Sequence, residues 1–209
     1  MKKTLFTLIL SFTTIICFSQ TIDYGIKGGV NFSEESTNNA FLQSIPSKYL
    51  TGFNIGGVVE FGFQKFSIQP GIFFTTKGES IPVTVANQNG QNLGSNAVAV
   101  KSNYLELPVN FLYRLRISPL LSAHLGAGPY IAYEFSSSES GEPYSGSAQA
   151  PVFESDYNKP DYGLNFDAGV KINNKFIIDA DYGLGLANIA TPGTIKNRTL
   201  SFSIGYMIR

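Results

Sequence analysis

The chain carries a single histidine, His124, and a single cysteine, Cys17. A histidine beside a carboxylate and a hydroxyl can activate a nucleophile for acyl transfer, and Ser122 stands two residues before His124. Asp179 and Asp181 are spaced i, i+2, which on a strand puts both on one face. Paired carboxylates can do acid–base work or hold calcium. Further charges recur inside alternating apolar stretches: Lys27, Glu60, Glu106, Arg114, Glu134, Asp167 and Lys171. Each has a plainer reading. A buried carboxylate is costly unless paired, so Asp179 and Asp181 are expected to salt-bridge to Lys27, Lys171 or Arg114 across a narrow interior. Glu106 and Arg114 read the same way, and His124 reads as a hydrogen-bonded member of that interior. Gly28-Gly29 and Gly183-x-Gly185 are not phosphate loops, because no helix-forming pattern follows them. The expectation is therefore a polar network of structural residues, with no catalytic residue, no cofactor and no metal.

Placing these residues requires strands. From Tyr162 to Ile172, and again from Phe176 to Leu186, even-numbered residues are mostly apolar and the others mostly polar or small. A period of two over ~11 residues marks a strand whose faces meet different media. Six further stretches read similarly: Ile22–Ser33, Leu50–Phe63, Phe66–Thr76, Lys101–Leu115, Leu121–Phe135 and Asn197–Ile208. Phe73 breaks the alternation, and Pro70, which cannot donate to a ladder, predicts a bulge or local gap. Directly opposed residues share a face. That rule asks for a three-residue turn, Asn173-Asn174-Lys175, between the last two strands of the opening pair, whereas Phe63 and Phe66 can pair across Gln64-Lys65. Long polar connections are expected at Gly78–Ala99 and Ser136–Pro160. Phe153 and Tyr157, in the second, are candidate contacts for a partner, since loops on a rigid scaffold are where binding usually lives; a merely solvated loop is the alternative.

Charged residues make up only 14% of the 209, and the formal net charge is zero. This argues against a nucleic-acid partner, whose footprint is a basic patch. Lys2-Lys3 followed by apolar Leu5–Phe18 and small Ser19 reads as a signal peptide over residues 1–19, cut near Ser19/Gln20. The barrel domain would then occupy residues 20–209. An apolar run of ~14 residues is short of the ~20 that a helical span needs. A lipoprotein reading is weaker, because Ile16 rather than a small residue precedes Cys17. Cleavage would remove the only cysteine, and with it any disulfide or thiol chemistry.

Eight strands, with long connections after the first, third and fifth and short ones after the second, fourth and sixth, is the layout of an outer-membrane barrel. The fold class expected is all-β: an eight-stranded antiparallel up-and-down transmembrane β-barrel. A soluble, lipocalin-like barrel binding a lipophilic ligand would also alternate, with its apolar face inward. Three features favour apolar-out. The polar face is rich in Gly, Asn and Ser, as a narrow lumen requires. Its charges have both signs. Tyr24, Tyr113, Phe135, Tyr162 and Tyr182 are placed to form interfacial girdles.

Several short motifs in order are Gly25-Ile-Lys-Gly-Gly-Val-Asn-Phe-Ser33, Phe66-Ser-Ile-Gln-Pro-Gly71, Asn103-Tyr-Leu-Glu-Leu-Pro108, Gly126-Ala-Gly-Pro129 and Asn174-Lys-Phe-Ile-Ile-Asp-Ala-Asp-Tyr182. Through them the chain resembles the small PorT-like "porin family" outer-membrane β-barrel proteins common in Bacteroidota. The resemblance implies an OmpA/OmpX-like architecture in the outer membrane, with no reaction and no cofactor. One departure is the ending Gly205-Tyr-Met-Ile-Arg209, which is not aromatic as such barrels usually are. The function expected is non-enzymatic: a plugged polar lumen and extracellular loops in a structural or binding role, with a lumen or rim enzyme as the other membrane reading. Expected partners are the outer-membrane lipid bilayer, the outer-membrane assembly machinery and an unidentified envelope or extracellular protein. The barrel is expected to be a monomer.

Overall fold

The computed structural model describes residues 21–37, 48–86, 92–140, 160–189 and 195–208. Residues 1–19, expected to be a signal peptide, and the candidate contacts Phe153 and Tyr157 lie outside them. The described residues form eight strands: β1 (Thr21–Thr37), β2 (Lys48–Phe63), β3 (Phe66–Ala86), β4 (Asn92–Arg116), β5 (Leu121–Ser140), β6 (Pro160–Ile172), β7 (Phe176–Gly185) and β8 (Ile195–Ile208). Each pairs antiparallel with its neighbours in sequence, and β8 returns to β1 from Tyr24↔Ile208 to Thr37↔Ile195, closing the barrel.

The period of two sets which way each side chain points. In β1, Ile22, Tyr24, Ile26 and Val30 face outward and are exposed, while Asp23, Lys27, Asn31 and Ser33 are buried inside. In β6, Tyr162, Leu164 and Phe166 point out, and Asp161, Asn165, Asp167 and Lys171 point in. Exposure reaches 71% at Ile204 and falls to 0% at Asn31 and Asp161. Apolar outside and polar inside is the reverse of a water-soluble barrel, and it excludes the lipocalin-like alternative.

Outward aromatics gather near both ends of this apolar band. Phe66–Tyr113 and Phe176–Tyr206 pack with ring centroids 5.3 Å apart beside the short turns. At the other end Phe74 packs against Phe53 at 5.4 Å and Phe135 at 5.5 Å. From Phe66 to Phe74, β3 advances about 26 Å at ~3.3 Å per residue, or about 20 Å along the barrel axis at the ~40° tilt of membrane barrels, most of the ~25 Å apolar band that they present between aromatic girdles.

The turns follow the phase of the strands. Ile172 pairs with Phe176 across Asn173-Asn174-Lys175. Asn173 and Asn174 take φ of 52° and 54°, the left-handed region that asparagine tolerates better than most residues. Phe63 pairs with Phe66 across Gln64-Lys65. At Pro70 the β2–β3 register continues without a bulge, but the pairing lapses between Val58↔Gly71 and Phe61↔Ile68, leaving the gap that a residue without an N–H imposes. Phe73 turns inward onto Val58, Ile177 and Met207, a small apolar plug within the polar lumen.

One expected loop is corrected. Gly78–Ala99 is mostly strand: β3 runs on to Ala86, β4 begins at Asn92, and the two pair from Gly78↔Lys101 to Ala86↔Asn92. Among the described residues β2 pairs with this hairpin as far as Lys48↔Ser80 and β5 as far as Ser140↔Ala99. Its polar composition hid it. Outside the apolar band both faces of a strand meet water, so the period-two contrast fades although the backbone ladder continues. The same effect extends β1 to Thr37 and β5 to Ser140, beyond the expected ends at Ser33 and Phe135.

Candidate functional site

The lumen is the one place where the fold concentrates chemistry. Its residues arrive from strand positions of one parity and stack in three layers between the short-turn rim and the opposite rim.

The layer nearest the short turns centres on Glu60 of β2, 1% exposed. Lys171 Nζ of β6 lies 2.5 Å from Glu60 Oε2, and Arg114 Nη1 of β4 lies 3.4 Å from Glu60 Oε1. Gln69 Nε2 of β3 donates to the same carboxylate at 3.5 Å. One carboxylate thus bridges two cations, which offsets its desolvation.

The middle layer brings together Lys27, His124, Asp167 and Asp179. The Lys27 ammonium is ion-paired with Asp179 Oδ2 and lies 4.0 Å from Asp167 Oδ2. His124 Nε2 is 3.0 Å from Asp167 Oδ1 and 3.0 Å from Asp179 Oδ1. Strand register assembles this group, because His124 of β5 pairs with Gly169 of β6, and Gly169 with Asp179 of β7. A Cβ on Gly169 would collide with Asp179 Oδ1 and stand 2.7 Å from His124 Cε1, so a side chain there would separate the two. Asp181 pairs across the ladder with Asp167 and lines the cavity beside Lys27. Of the cations that sequence offered to Asp179, Lys27 takes the role, while Lys171 and Arg114 serve Glu60 instead. His124, Asp167 and Asp179 are also the described residues whose donor atoms could hold a metal ion.

The third layer turns on Lys77 of β3. Its ammonium is 2.7 Å from Glu106 Oε2 and 3.3 Å from Asp161 Oδ2. It also stands 4.5 Å from the centre of the Tyr130 ring and 5.3 Å from that of Tyr104, a cation–π arrangement. Tyr130 Oη and Asn197 Nδ2 donate to Asp161 Oδ2 at 3.2 and 3.0 Å. Glu134 is buried above this layer. An amide chain runs alongside the middle layer: Asn54 Nδ2 donates to Asn31 Oδ1 at 2.6 Å, Asn31 Nδ2 to Thr75 Oγ1 at 2.7 Å, and Ser203 Oγ to Asn54 Oδ1 at 3.1 Å.

Lys77, Asp161, Asn31, Asn54 and Asn197 were not among the residues expected in the lumen network. Parity was the available signal: Lys77 continues the inward series of Ser67, Gln69 and Thr75, and Asp161 continues that of Asn165, Asp167 and Lys171. Both lie just past the strand ends expected from apolar alternation.

A closed barrel with an apolar outer band, aromatic girdles and a charge-paired lumen is an integral β-barrel of a membrane. A family model described as "Outer membrane protein beta-barrel domain" matches residues 18–191. The chain belongs to that family, and its place is the outer membrane. No curated protein sequence matches it. Among solved structures it is similar to Ail, the attachment invasion locus protein of Yersinia pestis, with 17% identity, 90% of this chain and 100% of that chain covered, and a TM-score of 0.41. It is also similar to Neisserial surface protein A, with 14% identity, coverage of 90% and 99%, and a TM-score of 0.47. For OprG of Pseudomonas aeruginosa the identity is 12%, the coverage 90% and 96%, and the TM-score 0.46.

Proposed function

We propose that this outer-membrane barrel is a closed, non-enzymatic scaffold that holds a binding surface on its long-connection rim, outside the cell. The observation carrying this reading is the three-layer lumen. Eight strands leave an interior that side chains alone can fill, and here Lys27, Glu60, Lys77, His124 and Asp167 are all within a few per cent of full burial. The cavity left among them has a volume of about 60 Å³, enough for a few waters but not for solute flow. His124 supports the non-enzymatic reading too. Its Nε2 faces two aspartates deep in the wall rather than an open rim. The long β3–β4 hairpin, paired as far as Ala86↔Asn92, is the surface best placed among the described residues to meet a partner. Its likeness in motif and layout to the PorT-like barrels of Bacteroidota is part of the same reading.

Planar-bilayer recording tests closure. The purified barrel is expected to show no stable conductance above the bare membrane, and large, long-lived openings would overturn the scaffold reading. Capture from native outer membranes tests the partner. The intact barrel is expected to retain an envelope or extracellular protein that is lost when residues 81–98 are replaced by a short turn.

A further inference from the structure

We propose that His124, Asp167 and Asp179 form a binding site for a divalent transition-metal ion of the Zn²⁺ type. Three observations point there, and none depends on the scaffold reading above.

The first is the placement of donors. His124 Nε2 lies 3.0 Å from Asp167 Oδ1 and 3.0 Å from Asp179 Oδ1, and donor atoms of the three residues all lie within 4.8 Å of one another. A metal ion binds histidine nitrogen and carboxylate oxygen at about 2.0–2.2 Å. Two ligands at about 2.1 Å from an ion are about 3.4 Å apart in the tetrahedral arrangement that zinc prefers, so each carboxylate need draw back from His124 by only about 0.4 Å to share an ion with it. Both aspartates are also nearly fully buried, at 3% and 2% exposure, where a carboxylate is costly unless it is paired or bound to a metal.

The second is orientation. Lys27 engages the far oxygen of Asp179 and stands near that of Asp167. That leaves both near oxygens turned toward His124, the orienting role that outer partners play at metal sites.

The third is space. Gly169 lies under the group, and any side chain there would strike Asp179 and crowd His124. A cavity bordered by Lys27 and Asp181 lies alongside the group. One imidazole with two carboxylates suits borderline first-row ions, not soft Cu(I), which prefers sulfur, nor calcium, which prefers oxygen alone.

The test uses the full-length barrel refolded in detergent with Zn²⁺, then desalted, with bound metal measured by mass spectrometry. Heat-modifiable migration confirms that each sample is folded. About one Zn²⁺ per folded chain is expected, and Co²⁺ in its place should give visible d–d absorption from nitrogen and oxygen ligands. His124→Gln and Asp179→Asn should each weaken binding at least tenfold. A folded parent that retains no metal overturns the proposal, as does a folded His124→Gln that binds as tightly as the parent. Should neither variant fold, the Co²⁺ spectrum of the parent decides: ligand-field bands support the site and their absence overturns it.

Discussion

Replacing Lys77 with methionine isolates what the upper lumen layer contributes to stability. The side chain keeps its length and loses its charge. Lys77 is 3% exposed and lies within 3.3 Å of both Glu106 and Asp161. Asp161 has no exposure at all, although Tyr130 and Asn197 still donate to it. Removing one partner of a buried ion pair typically costs about 3–5 kcal/mol, because the remaining charge stays desolvated. Two carboxylates are stranded here, which argues for the upper part of that range. The residual hydrogen bonds and the water-sized cavity alongside argue for the lower part. We expect a loss of about 4 kcal/mol. The chain has no tryptophan, so reversible urea unfolding in lipid or detergent is followed by far-ultraviolet circular dichroism. The cost belongs to stranded charge rather than lost packing, so Lys77→Met with Glu106→Gln and Asp161→Asn should recover most of it. The reasoning fails if Lys77→Met unfolds within about 0.5 kcal/mol of the parent, or if the triple variant is less stable than the single one.

Ile204, the most exposed apolar side chain of the outer face at 71%, pairs with Gly28 and Ile178 in mid-strand. Ile204→Lys should therefore cost about 2–4 kcal/mol in lipid, as a charge near the bilayer midplane does, while Ile204→Leu should leave the urea midpoint unchanged. Glu35 lies on β1 beyond the apolar band, and burial first, then Glu79 and Glu134, push its carboxyl up to about 8. Between its ordinary value of 4.5 and about 8 the folded chain holds a proton that the unfolded chain has released. Stability should therefore fall as pH rises through that window. Glu35→Gln should flatten the decline, matching the parent at pH 4 and exceeding it at pH 9 in urea midpoints; an unaltered slope would count against it.

Alternation made the lumen residues readable before any coordinates, because a strand has only two faces and one of them was apolar. Parity alone placed Asp167, Lys171, Asp179 and Asp181 together, and it required three residues between Ile172 and Phe176. It could not say that His124 meets Asp179. That contact depends on two successive registers, His124↔Gly169 and Gly169↔Asp179, which local pattern does not encode. Lys77 and Asp161 escaped notice for a different reason. They sit where the membrane ends, the outer face ceases to be apolar, and the contrast that reveals a strand disappears. The hairpin from Gly78 to Lys101 was misread as a loop on the same account.

The closing seam between β1 and β8 constrains how the protein can be made. Tyr24 pairs with Ile208, so the second edge of the first strand is filled only by a strand very far along in sequence. Pairings so distant in sequence are slow to form, since the loop must close before any contact rewards it. Until then the sheet has two bare edges and an unshielded apolar face, the features that drive strands of different chains together. Barrel closure therefore has to wait for β8, and the unfinished sheet must be kept from its own copies until that strand is in place.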